Sequence, residues 1–329
     1  MNEQQLLERW EQDKPLYEAW AKLISQEIER RIVPAIAPMP LDYFLKVPMV
    51  PRLKGGTSLI DKALYRNKAY ENPYEDITDK VGMRYVVLLT SHIDYFCSII
   101  ESPECEALWS WSKDKDYEEE RLAKPLEFSY QSVHYVLRSK AGLAIDGMNL
   151  PKDLACEVQI RTLLQHAHSE LTHDTLYKPK TTAKPSVKRT VAKSMALIEA
   201  TDEFFEQAMK DLATASEPQR KLLDYLSTAY KKGTDLEPGQ ERSNQLVIDT
   251  FIEHLPQDVI AQLEEFLTAK SYVFDKIKEQ KGQRHFFNQP SVLLAYFLAE
   301  KIPAHTREIW PIDSDDLAKV FSDLGKKYE

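Results

Sequence analysis

Only three cysteines occur in 329 residues, Cys97, Cys105 and Cys156, and no two of them form a Cys-x-x-Cys pair. That scarcity argues against a disulfide framework and a structural zinc site, and it fits a reducing cytoplasm. No apolar run reaches about 18 residues, so no membrane span is expected. The opening stretch MNEQQLLERWEQDKPLY is polar and lacks the hydrophobic region of a secretory signal. Positive charge is in deficit: the net charge is −9 and the pI about 5.5, which does not indicate a general nucleic-acid binder. Acidic residues are missing from one stretch. None lies between Asp174 and Glu199, while Lys178, Lys180, Lys184, Lys188, Arg189 and Lys193 all do. Such a run is usually solvated surface; its functional reading is a docking strip for phosphates.

What is present suffices for a real core, at 43% hydrophobic and 29% charged residues. The spacing of Leu6, Trp10, Leu16, Trp20, Leu23 and Ile28 predicts helix over 2–32, and Pro15 suits the first turn of a second helix. Residues 33–51 are proline-rich and read as irregular. In GTSLIDKALYRNKAY, Thr57 or Ser58 is the expected N-cap of a helix. Three strands are expected, KVGMRYVVLL (80–89), SVHYVLRS (132–139) and LACEVQIRT (154–162). Helices are expected over 91–101, 162–177 and 186–213, with a long charged loop over 110–128. After Ser216 the pattern is helical without strand signals, and KKGTDLEPGQERS (231–243) reads as a linker or loop. The domains expected are 1–215, a mixed α+β domain, and 216–329, a helical domain or extension of unknown role.

Charged residues recur where strands should be apolar. Asp79 stands at the threshold of the first strand and Arg84 lies inside it. In the third, Cys156, Val158 and Ile160 take one face and leave Glu157, Gln159 and Arg161 on the other. Such groups are costly unless paired or exposed at a site. Arg52, Lys54 and Lys62 surround the Gly55-Gly56 turn, which is no P-loop because it lacks Gly-x-x-x-x-Gly-Lys-Ser/Thr. Taken singly, each has an ordinary reading: a lone strand histidine such as His134 is usually a satisfied core group, and Tyr130 a packing residue. Together, two carboxylates, Asp79 and Glu157, can hold one divalent ion. Five cations, Arg52, Lys54, Lys62, Arg84 and Arg161, can neutralise a polyphosphate.

The ordered blocks RLKGGTSLIDK, DKVGMR, YQSVHY and EVQIRTLLQHAHSELTHDTLYK resemble the RelA/SpoT-type alarmone synthetase domain over roughly residues 15–213. The resemblance implies a nucleotidyltransferase-like mixed sheet flanked by helices. It also implies transfer of the β,γ-pyrophosphate of ATP to the 3′-hydroxyl of GDP or GTP, with Mg²⁺ as cofactor. Asp79 and Glu157 then match the Mg²⁺-binding carboxylates, Glu157 also helping to deprotonate the acceptor hydroxyl. Arg52 and Arg84 match the pair clasping adenine. Lys54, Ser58 and Lys62 match the phosphate-binding group, and Tyr130 the tyrosine on which the acceptor guanine stacks. His134, Gln159 and Arg161 match positions near the acceptor and its phosphates, while His166, His168 and His173 read as mainly structural.

Two departures bear on the acceptor. The family's usual Gly-Tyr-Arg-Ser is Ser129-Tyr130-Gln131-Ser132 here, which removes an arginine contact to acceptor phosphate, and the chain exceeds a minimal small synthetase. Both resemble the toxic small synthetases, some of which pyrophosphorylate the 3′ end of tRNA. The readings are therefore a cytoplasmic GTP diphosphokinase, a tRNA-directed transferase, or a non-catalytic nucleotide sensor. No membrane partner is expected, and a homo-oligomer is compatible with the family. Long RelA/SpoT enzymes also carry a Mn²⁺ hydrolase. Its His-Asp signature has no counterpart outside His173-Asp174, so removal of the installed pyrophosphate is not expected.

Overall fold

A computed structural model describes residues 2–66, 70–125, 127–128, 132–172 and 184–328. The chain divides into two compact units, Met1–Ala208 and Met209–Glu329. Among the described residues no helix is long and apolar enough to cross a membrane.

The first unit opens on one 33-residue helix, Glu3–Ala35, rather than two. Pro15 lies inside it. An interior proline costs about 3 kcal/mol, but Leu6, Trp10, Tyr17, Trp20, Ile24, Ile28 and Ile32 form a stripe buried on both sides of it. Burying a large apolar side chain contributes about 1.5–3 kcal/mol each, so the stripe outweighs the proline. Of the segment expected to be irregular, 33–51, residues 33–35 with Pro34 belong to that helix, and the rest is irregular apart from one short helix, Leu41–Phe44.

Five strands make a mixed sheet: β1 (Arg52–Leu53), β2 (Val81–Val87), β3 (Trp109–Lys115), β4 (Val133–Ser139) and, after the two-residue strands β5 (Ala144–Ile145) and β6 (Met148–Asn149), β7 (Ala155–Thr162). Their order is β1-β2-β7-β4-β3. β2 runs parallel to β7; the other neighbours are antiparallel. The α+β class with a mixed sheet flanked by helices is thus the observed fold. The three anticipated strands form its centre, trimmed by one or two residues at their ends.

β3 corrects the sequence reading, which made 110–128 a loop. Residues 109–115 pair with β4, and Tyr117–Ala123 is helical. β3 is an edge strand held by Trp109, which is 1% exposed, while most of its other side chains reach solvent. A mostly polar edge strand lacks the apolar alternation by which strands are recognised. The hairpin β5–β6 was also missed, although Asp146 (φ 50°) and Gly147 (φ 78°) supply the left-handed pair that a type I′ turn needs.

One sheet face packs Met83, Tyr85, Val87, Tyr135, Leu137, Cys156, Val158 and Ile160 into the core with the N-terminal helix. The opposite face carries the polar residues at alternate positions. Helices Ser91–Ile100 and Leu163–Thr172 match expectation to within its limits; residues 173–183, including His173 and Lys178, lie outside the described residues. The helix expected over 186–213 spans Pro185–Ala215.

Among the described residues the second unit contains helices and no strand. Its centre is Ser291–Lys301, in which residues 291–299 are all buried. The stretch read as a linker lies within this unit. There Asn244 Nδ2 donates to Gln289 Oε1 at 2.8 Å and to the Gly239 carbonyl at 3.1 Å, pinning the loop before Arg242 to the head of the central helix.

Candidate active site

The polar sheet face is built by register. Arg52 pairs with Gly82 and Gly82 with Glu157, so a residue without a side chain separates a cation from a carboxylate. One step along, Arg84 pairs with Gln159 and Gln159 with His134, giving three polar groups in a row across β2, β7 and β4.

The turn after β1 brings in the lysines. Trp10 Nε1 donates to the Lys54 carbonyl at 3.0 Å, and the Lys54 amide donates to the Lys80 carbonyl at 2.8 Å. These bonds anchor Lys54 beside Asp79. Lys54 Nζ lies 2.7 Å from Asp79 Oδ2, and Lys62 Nζ lies 2.8 Å from the same oxygen. Burial pushes the Asp79 carboxyl upward, but the two ammoniums more than offset it and hold it below the usual carboxylate range. The helix carrying Ser58, Gly56–Ile60, is capped by the backbone of Gly55, and neither Thr57 nor Ser58 serves as N-cap. The glycine at that position needs no side-chain oxygen to enter the helix, so Ser58 is left to face outward. A π-helical stretch, Asp61–Tyr65, follows and carries Lys62.

A cavity of about 480 Å³ opens over this face. Of the residues singled out in the sequence, Arg52, Lys54, Ser58, Asp79, Arg84, Glu157 and Gln159 line it. Lys62 reaches its wall through Asp79. Arg161 does not line it: it is buried beneath, with its guanidinium donating to Gln159 Oε1, while Gln159 Nε2 donates to Glu157 Oε1 at 2.5 Å. Those bonds turn the Glu157-Gln159-Arg161 face into one connected chain. His134 Nδ1 lies 3.6 Å from Glu157 Oε1, and its Nε2 is 2.5 Å from Ser132 Oγ. Burial, then Arg161, Lys115 and Arg84, push His134 down to about 3, so the ring beside Glu157 is neutral near pH 7. Tyr130 lies outside the described residues.

Two titratable lining residues were not anticipated. His166, read as structural, faces the cavity, as does Arg66. His166 belongs to the helix Leu163–Thr172; one turn on, Glu170 Oε1 lies 2.8 Å from Arg84 NH1 and 3.8 Å from His166 Nδ1. His168 is structural, with Nε2 at 3.0 Å from Ser194 Oγ.

The carboxylates fit a divalent ion by their unused valence. Asp79 Oδ2 is taken by two lysines, whereas Asp79 Oδ1 is buried with no hydrogen-bond partner among the described residues. A buried carboxylate oxygen so placed calls for a cation or donor. Among the described residues no group of three or more His, Cys, Asp and Glu side chains is arranged around a metal position. Two carboxylates with substrate phosphates is the arrangement Mg²⁺ usually takes.

No curated protein matches the chain. Among solved structures, small alarmone synthetase 1 from Bacillus subtilis is 17% identical, with 63% of this chain and 99% of that chain covered at a TM-score of 0.48. A GTP pyrophosphokinase family protein from Streptococcus pneumoniae is 22% identical, with 64% and 96% covered at 0.49. The Bacillus synthetase 1 has also been solved bound to its product pppGpp, at 18% identity, 62% and 98% coverage and a TM-score of 0.49. A family model, the region found in RelA / SpoT proteins, matches residues 51–182. That segment supplies the carboxylates and nearly every other lining residue, and through it the chain carries a RelA/SpoT region.

Proposed function

We propose that the protein is an ATP-dependent pyrophosphokinase that moves the β,γ-pyrophosphate of ATP to the 3′-hydroxyl of GDP or GTP. The observation carrying this reading is the convergence of Asp79, just before β2, and Glu157, on β7, into one cavity whose wall also holds Arg52, Lys54, Ser58 and Arg84. Phosphoryl-type transfer asks mainly for positioning and charge stabilisation. Arg52 and Arg84, on neighbouring strands, flank the donor base. Lys54 and Lys62 place two positive charges on one carboxylate, leaving excess positive charge for the donor phosphates, and Ser58 adds a hydroxyl.

Asp79 Oδ1 and Glu157 would hold Mg²⁺, which when bound neutralises the charge that develops on the phosphates. Gln159 occupies Glu157 Oε1 and thereby orients the carboxylate, so that Glu157 can accept the proton of the acceptor hydroxyl. His134, neutral, presents a polar edge to the acceptor without adding charge. Tyr130 would stack on the acceptor base.

One observation favours tRNA as a second acceptor. Lys184, Lys188, Arg189 and Lys193 are exposed at the head of the helix Pro185–Ala215, whose first turn has no acidic residue. A pyrophosphate-transfer site without the carboxylate pair would fit a mere nucleotide sensor; here the pair is present.

The test is to incubate the protein with γ-labelled ATP and GDP, GTP or deacylated tRNA. Label on GDP or GTP supports the leading reading. Label on tRNA alone supports the second, and neutralising Lys184, Lys188 and Arg189 should then flatten the salt dependence of binding. No label on any acceptor contradicts both.

A further inference from the structure

A second cavity, of about 210 Å³, lies in the first unit and shares no lining residue with the site above. Its apolar walls are Leu16, Tyr17, Tyr74, Pro151, Leu154 and Ala155. Lys80 also lines it, and Lys80 is 1% exposed.

The surroundings of that ammonium are unusual. It donates to the Ile77 carbonyl at 3.0 Å and lies over the rings of Tyr74 (4.7 Å) and Tyr17 (5.3 Å). An ammonium carries three donors, so one carbonyl and two ring faces satisfy it only in part. Among the described residues no carboxylate pairs with it. The acids nearby are already engaged: Glu75 and Asp13 with Arg9, Asp13 also with Tyr74 Oη at 2.7 Å, and Asp153 with Lys152 at 3.7 Å. A buried charge without a counter-charge is strongly disfavoured. Here the missing counter-charge coincides with a cavity.

We propose that this cavity binds a small organic monocarboxylate, its carboxylate on Lys80 and its apolar body between Leu16, Leu154 and the two tyrosine rings. The lining argues for one negative charge only. Arg9, Lys152, Asp13, Glu75 and Asp153 also line the space, but Arg9 is paired with Asp13 and Glu75 and Lys152 with Asp153, which leaves Lys80 as the cation without a carboxylate among the described residues. The volume suits a short aliphatic chain or a single ring. The two cavities flank one dipeptide, Asp79 lining the first and Lys80 the second, so an occupant here lies one residue from the carboxylate of the other site.

Calorimetric titration of the full chain with benzoate, and separately with butyrate, tests this. The expected result is one saturable site in the wild type, weakened at least tenfold by Lys80→Met. Leu154→Trp, which fills the space but keeps the lysine, should weaken it similarly. The Arg52→Ala, Lys54→Ala double variant should bind as the wild type does. The proposal is overturned if neither probe binds saturably, or if Lys80→Met and Leu154→Trp both bind normally. It is also overturned if binding disappears in the double variant, which would place the carboxylate in the first cavity.

Discussion

Lys54 and Lys62 both converge on Oδ2 of Asp79, at 2.7 and 2.8 Å. Two ammoniums on one carboxylate oxygen give this wall a positive surplus, which in the proposed reaction meets the donor phosphates. A hydrogen bond to a charged group contributes about 1.5–3 kcal/mol. Lys54→Met should therefore raise the KM for ATP roughly ten- to a hundredfold, by the tenfold-per-1.4 kcal/mol rule, with a much smaller change for the acceptor. Steady-state kinetics with each substrate varied in turn checks this. Equal changes in both KM values would show that the lysine shapes the whole site and not its donor side.

Gly82 offers a sharper steric test. It stands between Arg52 and Glu157, and a Cβ added there would meet nothing nearer than the Glu157 carbonyl at 3.6 Å. A β-branched side chain suits a central strand, so Gly82→Val should leave the thermal midpoint unchanged or raised. Its methyl groups would project into the cavity, and transfer should fall at least a hundredfold, an order-of-magnitude expectation from misplacing reacting groups. Normal turnover in a folded Gly82→Val protein would mean that nucleotides bind elsewhere.

The third test concerns stability. Asp202 is buried, accepts from Thr162 Oγ1 at 2.8 Å, and has its other oxygen unpartnered among the described residues. Burial raises its carboxyl from 3.8 to about 6, against the opposing effect of the Thr162 bond. The folded state therefore binds more protons than the unfolded state between those values. Stability falls as pH rises through that window, and the cost is fully present above about 6. Asp202→Asn removes the charge and keeps the shape. It should be more stable than the wild type at pH 7.5, by on the order of 1–3 kcal/mol, with the difference shrinking towards pH 4. Thermal unfolding of both proteins at the two pH values decides it. A variant no more stable at pH 7.5 would show that Asp202 is ionised at little cost.

The centre of the sheet was legible because β2, β4 and β7 are rich in β-branched and aromatic residues, and because charged residues at alternate positions marked the site face. β3 was not legible, since an edge strand with one buried tryptophan has no periodic signal. Pro15 misled because proline's local cost is visible in a sequence, whereas the buried stripe that overrides it depends on tertiary packing. In the site, Arg52, Lys54, Asp79 and Glu157 stood out as charges beside strands and turns. His166 and Arg66 did not: a histidine on a short helix and an arginine after a turn are commonplace, and only the crossing of that helix over the sheet face brings His166 to the cavity. The empty position at Gly82 was equally silent, because its meaning comes from the register between β1, β2 and β7.

The proposed reaction requires Asp79 and Glu157 to act as one catalytic pair. Transfer of label from γ-labelled ATP to GDP or GTP, measured for the wild type, Asp79→Asn and Glu157→Gln at matched circular dichroism, tests it most directly. A loss of around 10³-fold is expected in each variant, the scale for removing one charge-stabilising group, with the fold retained. Near wild-type transfer by either variant, to any acceptor, would contradict it.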